Sequence, residues 1–213
     1  LEEIVPIIRG AGVPLYVVGR GSNLLVHDEG VRGVVLCTAE MHEITVSGSI
    51  IRAEAGASLF SVASCALRQG LGGAEFAAGI PGTLGGAVFM NAGAYGGQMA
   101  DIVVRTHYLD GEGKIGMIEG DGHQFGYRES VFKSNPDWII LSSELRLSPD
   151  SADVIREKMQ DYAQRRRDKQ PLEFPSAGST FKRPEGYFAG KLIQDSGLMG
   201  YTVGGAQVSE KHA

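Results

Sequence analysis

The sequence predicts an α+β fold on three observations. Apolar residues recur at helical spacing in three separated segments, short runs rich in valine, isoleucine and leucine fill the intervals, and the turn after the first such run lacks the marks of a dinucleotide-binding βαβ unit. The 213 residues can hold one large domain or two small ones around a buried core without help from disulfides or metals.

Residues 1–10 read as a helix on Leu1, Ile4, Val5 and Ile8, and residues 15–18 as a strand reached through a glycine-proline turn. Residues 24–26 read as a second strand, too short and too soon followed by His27-Asp28-Glu29-Gly30 to be a helix. Further strands are expected at 34–36, 44–46 and 50–55. Ser58 caps a helix carrying Leu59, Val62, Ala63, Ala66 and Leu67 on one face, and Gly70 ends it. Strands follow at 102–109, 114–119 and 138–147. A charged helix capped by Ser151 spans 152–169, with Val154, Ile155, Met159 and Tyr162 on its inner side, and Pro171 stops it. Beyond it the chain turns small and polar, with a short helix at 190–196. The composition change places a domain boundary near Ser148 to Ser151, giving domains 1–149 and 150–213. Leu1 enters its helix without a start methionine or cap, and the chain stops just after a strand, so both ends are expected to continue in a longer protein.

Hydrophobic residues at 43% and charged residues at 21% exclude a disordered or fibrous chain. A net charge of -5, with no basic track, argues against a nucleic-acid partner. No apolar run has the length of a membrane helix and no leader is visible, so a soluble cytoplasmic protein is expected. Cys37 and Cys65 lie outside any metal-binding pattern and read as small core residues.

Glycine is the unusual component: 31 residues, roughly twice the ~7% norm, concentrated between Gly70 and Gly97. The first motif is Gly19-Arg20-Gly21-Ser22-Asn23-Leu24. Leu24 replaces the third glycine of a Rossmann fingerprint and no helix follows, leaving either an anion-binding nest of backbone N–H groups or a plain hairpin turn. Gly111-Glu112-Gly113-Lys114-Ile115-Gly116 matches the same fingerprint literally, but Asp110-Gly111 between two strands marks a hairpin. The second motif runs Ala78-Gly79-Ile80-Pro81-Gly82-Thr83-Leu84-Gly85-Gly86-Ala87 and continues to Asn91-Ala92-Gly93-Ala94-Tyr95-Gly96-Gly97. So many glycines disfavour regular structure, while bare backbone at Gly79, Gly82, Gly85 and Gly86 lets a flat ring or diphosphate lie close and Thr83 adds a hydroxyl.

These two motifs, with Tyr127-Arg128-Glu129-Ser130-Val131-Phe132-Lys133, Gly178-Ser179-Thr180-Phe181-Lys182-Arg183-Pro184, and the segments 191–198 and 204–209, resemble the UDP-N-acetylmuramate dehydrogenase family, also called UDP-N-acetylenolpyruvoylglucosamine reductases. The resemblance covers nearly the whole chain. It implies an FAD-binding fold of the vanillyl-alcohol-oxidase type, with two α+β subdomains followed by a substrate-binding domain. It implies that Gly19, Arg20, Gly21, Ser22, Asn23 and Leu24, together with Gly79, Ile80, Pro81, Gly82, Thr83, Gly85 and Gly86, hold the FAD diphosphate, with Asn91, Ala92, Gly93 and Ala94 nearby. Relatives that attach flavin covalently use a histidine in or near such loops; neither loop here has one, so non-covalent FAD is expected.

The family's reaction passes hydride from NADPH through FAD to the enolpyruvyl group of a UDP-sugar, in the cytoplasmic synthesis of peptidoglycan precursors. By resemblance Arg128 is the catalytic arginine and Ser179 the proton donor, while Tyr127, Lys169 and Arg183 meet the substrate. Read without the resemblance, Ser179 is a turn hydroxyl and Arg128 a surface ion-pair partner. Arg183 stands where the longer subtype has asparagine, and only a few residues separate Leu147 from the helix at 152 where that subtype inserts a tyrosine-bearing lid, so the short subtype is expected. The family's third catalytic residue, a glutamate near the C-terminus, and its N-terminal flavin segment have no counterpart within residues 1–213.

Overall fold

Glycine and proline punctuation divides the chain into short elements in the computed structural model, which describes residues 1–212. In chain order they are α1 (Ile4–Gly10), β1 (Leu15–Val18), β2 (Val34–Cys37), β3 (Ile44–Ser47), β4 (Ile50–Glu54), α2 (Leu59–Arg68), β5 (Leu71–Gly72), α3 (Leu84–Phe89), β6 (Gly93–Ala94) and β7 (Gly97–Gln98). Then come β8 (Val103–Leu109), β9 (Ile115–Glu119), α4 (Val131–Ser134), β10 (Ile139–Arg146), β11 (Ser148–Pro149), α5 (Ala152–Lys169), α6 (Ala189–Asp195), β12 (Thr202–Val203) and β13 (Ala206–Gln207). Leu1–Gln160 forms one compact unit, and a second begins at Asp161.

In the first unit β1 and β2 pair in parallel, Leu15 opposite Val34 through Val18 opposite Cys37. Next to them stands an antiparallel five-stranded sheet in the order β3-β4-β10-β8-β9. Its two faces follow from alternation along the strands. Ile51 and Ala53 point into the core, where α2 and α3 cover them, while Arg52 between them faces outward. Register places Arg52 opposite Glu144, Glu144 opposite Arg105 and Arg105 opposite Glu119, an outer rung of alternating charge across four strands. Arg105 reaches Glu144 at 3.0 Å and Glu119 at 2.5 Å, and the hydrogen bond it donates to Glu119 and the charge of Glu144 raise its already high pKa further. Val5 of α1 is fully buried with Leu109 and Ile139, with Leu15, Leu36 and Leu141 packed against them, which fastens the small parallel pair to the larger sheet.

Ser58 caps α2 as its sequence predicts, its hydroxyl accepting from the Ser61 N–H at 3.0 Å. The Asp110 hairpin is also confirmed: Leu109 faces Ile115, and the Asp110 carboxylate accepts from the N–H groups of Glu112 and Lys114. Ser151 accepts from the Asp153 N–H at 3.3 Å at the start of α5. In the second unit the C-terminal part of α5 is joined by α6 and the β12–β13 hairpin, and Lys211 Nζ donates to the Arg167 carbonyl at 2.8 Å.

Four expectations need correcting. Residues 24–26 form no strand: Leu25 is fully exposed, because β1 pairs in parallel with β2 and the intervening chain serves as the crossover connection. Cys37 is exposed rather than a core residue, unlike buried Cys65. On α5 only Ile155 is buried, and Val154 faces out. The glycine-rich stretch does contain regular structure, α3, because burial of Leu84, Ala87 and Val88 outweighs the helix penalty of Gly85 and Gly86. Among the described residues no helix is long and apolar enough to cross a membrane.

A buried histidine makes the first unit sensitive to acid. His123 has no exposed surface; its Nε2 lies 2.9 Å from Thr106 Oγ1, which lies 2.9 Å from Ser143 Oγ, and its ring stacks on Phe125. Burial lowers its pKa, against the opposing pull of the Gly120 carbonyl. The unfolded chain therefore takes up a proton at this position that the folded chain does not, so stability is full above about pH 6.5 and falls as pH drops below it. The melting temperature of the parent protein should lose its margin over His123→Gln as pH falls from 7.5 to 5.5. A margin that stays constant would contradict this placement.

Candidate active site

The first glycine loop leaves the end of β1. Thr38 N–H donates to the Val18 carbonyl at 2.9 Å, holding the strand ends together, and residues 20–24 run exposed from there. The second loop is laid between β4 and α2: Leu84 N–H donates to Ala57 O and Gly85 N–H to Ala55 O, both at 2.8 Å, and Leu59 N–H to Gly82 O at 3.2 Å. Thr83 bridges to Ser58, the α2 cap.

The two loops meet. Ser22 Oγ donates to the Pro81 carbonyl at 2.7 Å across 59 residues of sequence. A Cβ at Gly19 would run into the Thr83 side chain, and one at Gly82 would lie 3.2 Å from Ser22 Oγ. The backbone of Gly19 and Gly82 and the hydroxyls of Ser22 and Thr83 are thus gathered at one place. Bare backbone flanked by hydroxyls lets a diphosphate lie close, so these residues fit the group that the sequence implies. Gly86 is exposed on this side. Gly85 instead is buried, with its missing Cβ 2.9 Å from Ala55 Cβ, and serves the close packing of α3 on β4.

Asn91 through Ala94 follow α3 into the β6–β7 hairpin, whose two-residue turn has Tyr95 and Gly96 at φ 55 and 88, the geometry of a type I′ turn. Asn91 is 4% exposed, and its side chain is used inside the protein. Nδ2 donates to Gln98 Oε1 at 3.1 Å and to the Gly126 carbonyl at 2.9 Å, while Oδ1 accepts from the Ala100 N–H at 2.9 Å. What Asn91 offers a cofactor is therefore backbone. Ala92 is buried, its N–H donating to Ala87 O; Gly93 and Ala94 are half-buried.

Arg128 sits in a tight turn in which Gly126 and Glu129 exchange backbone hydrogen bonds of 3.1 and 3.2 Å. Its φ of 59 is left-handed, a conformation disfavoured for any residue with a Cβ and concentrated at functional sites. The guanidinium carbon lies 5.8 Å from the ring centroid of Tyr127, which is exposed. The structure brings Tyr127 and Arg128 together and connects their turn to the second glycine loop through Asn91. Within the second unit, Lys169 is exposed as the last residue of α5, and Ser179 is exposed in an irregular segment. Arg183 stacks on Phe188 at 3.8 Å from the ring centroid, with Nε donating to Tyr187 O. Sequence reading did not find Ser130, whose hydroxyl donates to the Phe89 carbonyl at 2.7 Å. Its one signal is position, a serine before a short helix two residues after Arg128.

A model of the FAD binding domain matches residues 1–118, and one of the UDP-N-acetylenolpyruvoylglucosamine reductase C-terminal domain matches residues 170–213. A UDP-N-acetylenolpyruvoylglucosamine reductase of Caldanaerobacter subterraneus is 48% identical over 213 residues, all of this chain and 70% of the relative. The chain belongs to the UDP-N-acetylenolpyruvoylglucosamine reductase family. A Clostridium botulinum reductase of the same name is 45% identical, again over all of this chain and 69% of its own length. The solved UDP-N-acetylenolpyruvylglucosamine reductase of Thermus caldophilus aligns with a TM-score of 0.85 at 35% identity, covering 100% of this chain and 76% of that one. The reductase family thus accounts for an α+β fold in which an FAD binding domain precedes a distinct C-terminal domain.

Proposed function

We propose that the protein is a cytoplasmic, NADPH-dependent flavoenzyme that reduces the enolpyruvyl group of UDP-N-acetylglucosamine enolpyruvate to the lactyl ether of UDP-N-acetylmuramate. The observation that carries the reading is the junction of the two glycine loops, Ser22 on Pro81 and Gly19 on Thr83, with the Arg128 turn tied to the same segment through Asn91. Membership in the reductase family supports the substrate and the hydride donor. Residues 1–149 are the FAD-binding domain, and 150–213 belong to the substrate-binding domain.

Bound FAD would supply a two-electron carrier between NADPH and the enolpyruvyl carbon C3. The residues that would hold it are Gly19 to Leu24, with Ser22 and the backbone of Gly21 at the diphosphate, and Gly79 to Gly86, with Gly82 and Gly86 offering backbone and the buried Thr83 packed against Gly19. As hydride reaches C3, the electron pair of the double bond moves toward the carboxylate, and negative charge builds there. The Arg128 guanidinium faces that charge as a planar two-pronged donor, stronger than a single point cation. Ser179 supplies the proton to C2, a role that demands a relay stabilising the serinate that it leaves behind. Tyr127, Lys169 and Arg183 bind the rest of the UDP-sugar.

The reading is tested by the flavin itself. The purified protein should be yellow, and heat or acid should release all of its FAD into the supernatant. Gly19→Ala should weaken flavin binding by roughly tenfold or more, because the added methyl forces the first loop off Thr83. Flavin that stays on the denatured chain, or parent-like flavin affinity in Gly19→Ala, would sink the proposed cradle.

A further inference from the structure

Both ends of the turn carrying Arg128 are fastened to the segment that follows the second glycine loop. At one end Asn91 Nδ2 donates to the Gly126 carbonyl at 2.9 Å. At the other, Ser130 Oγ donates to the Phe89 carbonyl, the last residue of α3, at 2.7 Å. Asn91 and Ser130 are each only 4% exposed, so water does not compete for these bonds. Ser130 occupies the cap position of α4 but makes no side-chain cap bond there; its hydroxyl goes to Phe89 instead. Lys133 Nζ adds a third tie from α4, donating to the Arg128 carbonyl at 3.1 Å. A non-glycine residue at φ 59 persists only where its surroundings over-determine it, and these ties are the surroundings.

We propose that Ser130 and Asn91 are positioning residues that lock the Arg128 turn to α3, so that the guanidinium and the flavin-holding loop keep a fixed register. The inference rests on the reading of Arg128 given above and goes beyond it by naming what sets the arginine's place. Neither side chain needs to touch substrate. Their contribution is to remove turn conformations in which the guanidinium points elsewhere, and a misplacement of about 1 Å can cost ~10²-fold in rate.

The test pairs a conformational readout with a kinetic one in the flavin-loaded enzyme. In Ser130→Ala, the amide protons of Gly126 and Glu129, which close the turn, should exchange roughly tenfold faster with and without FAD bound. Substrate-driven return of flavin colour should slow by about 10- to 100-fold, while bleaching by NADPH and the affinity for FAD stay at parent values. Ser130→Thr keeps the hydroxyl and should restore both readouts. Asn91→Asp retains the acceptor for Ala100 but turns an oxygen toward the Gly126 carbonyl, and should speed exchange of the same two amides as Ser130→Ala does. Parent-like exchange in both Ser130→Ala and Asn91→Asp would overturn the inference, as would faster exchange with unaltered recolouring. Failure of the underlying reading shows on a different variant: if Arg128→Ala recolours normally, the arginine has no role for the two residues to support.

Discussion

Ser179→Ala should slow the return of flavin colour on addition of the enolpyruvyl substrate by about 10²–10⁴-fold, the range typical for loss of a positioned general acid. Bleaching by NADPH should proceed at a near-normal rate, because no proton is delivered to the substrate in that step. Ser179 is exposed in an irregular segment, so losing its hydroxyl should leave the melting temperature almost unchanged. Without the serine, the proton at C2 must come from solvent and without strict facial control. Product made in heavy water should then show mixed configuration at that carbon. Turnover within a few-fold of the parent would refute the proton-donor role.

Arg128→Lys isolates geometry from charge. Lysine keeps the cation and meets the same left-handed backbone at φ 59, so the turn is no more strained than before. What is lost is the planar fork that grips a carboxylate through two parallel bonds. Recolouring by substrate should fall by roughly 10²–10³-fold, comparable to removal of one donor from a charge-stabilising site, with NADPH bleaching nearly intact in the same stopped-flow experiment. Equal damage to both half-reactions would assign Arg128 to the scaffold rather than to the developing carboxylate.

Local signals made much of the fold readable. Ser58 is a cap because its hydroxyl can satisfy an N–H at the start of α2, and Asp110-Gly111 is a hairpin because the aspartate carboxylate accepts from two turn amides, both features of a few consecutive residues. Failures arose where partners distant in sequence decide the outcome. Residues 24–26 have strand-like composition, yet the parallel pairing of β1 with β2 assigns them to a connection. α3 carries two glycines and forms because β4 and β10 cover its apolar side, which no local propensity reports. At the site, the glycine loops are visible as motifs, but their junction through Ser22 and Pro81 is a contact across 59 positions. Asn91 was legible as a residue near the flavin and illegible as the tie to Gly126, since an asparagine after a short helix gives no sign of where its amide will point.

The central claim is that this chain's flavin site passes hydride to an enolpyruvyl ether. The most direct measurement is to bleach the flavin-loaded protein with one equivalent of NADPH without oxygen and then add UDP-N-acetylglucosamine enolpyruvate. The account predicts that flavin absorbance returns in proportion to the substrate consumed, with UDP-N-acetylmuramate formed one-to-one. Absorbance that returns only when oxygen is admitted, with the enolpyruvyl substrate recovered unchanged, would contradict it.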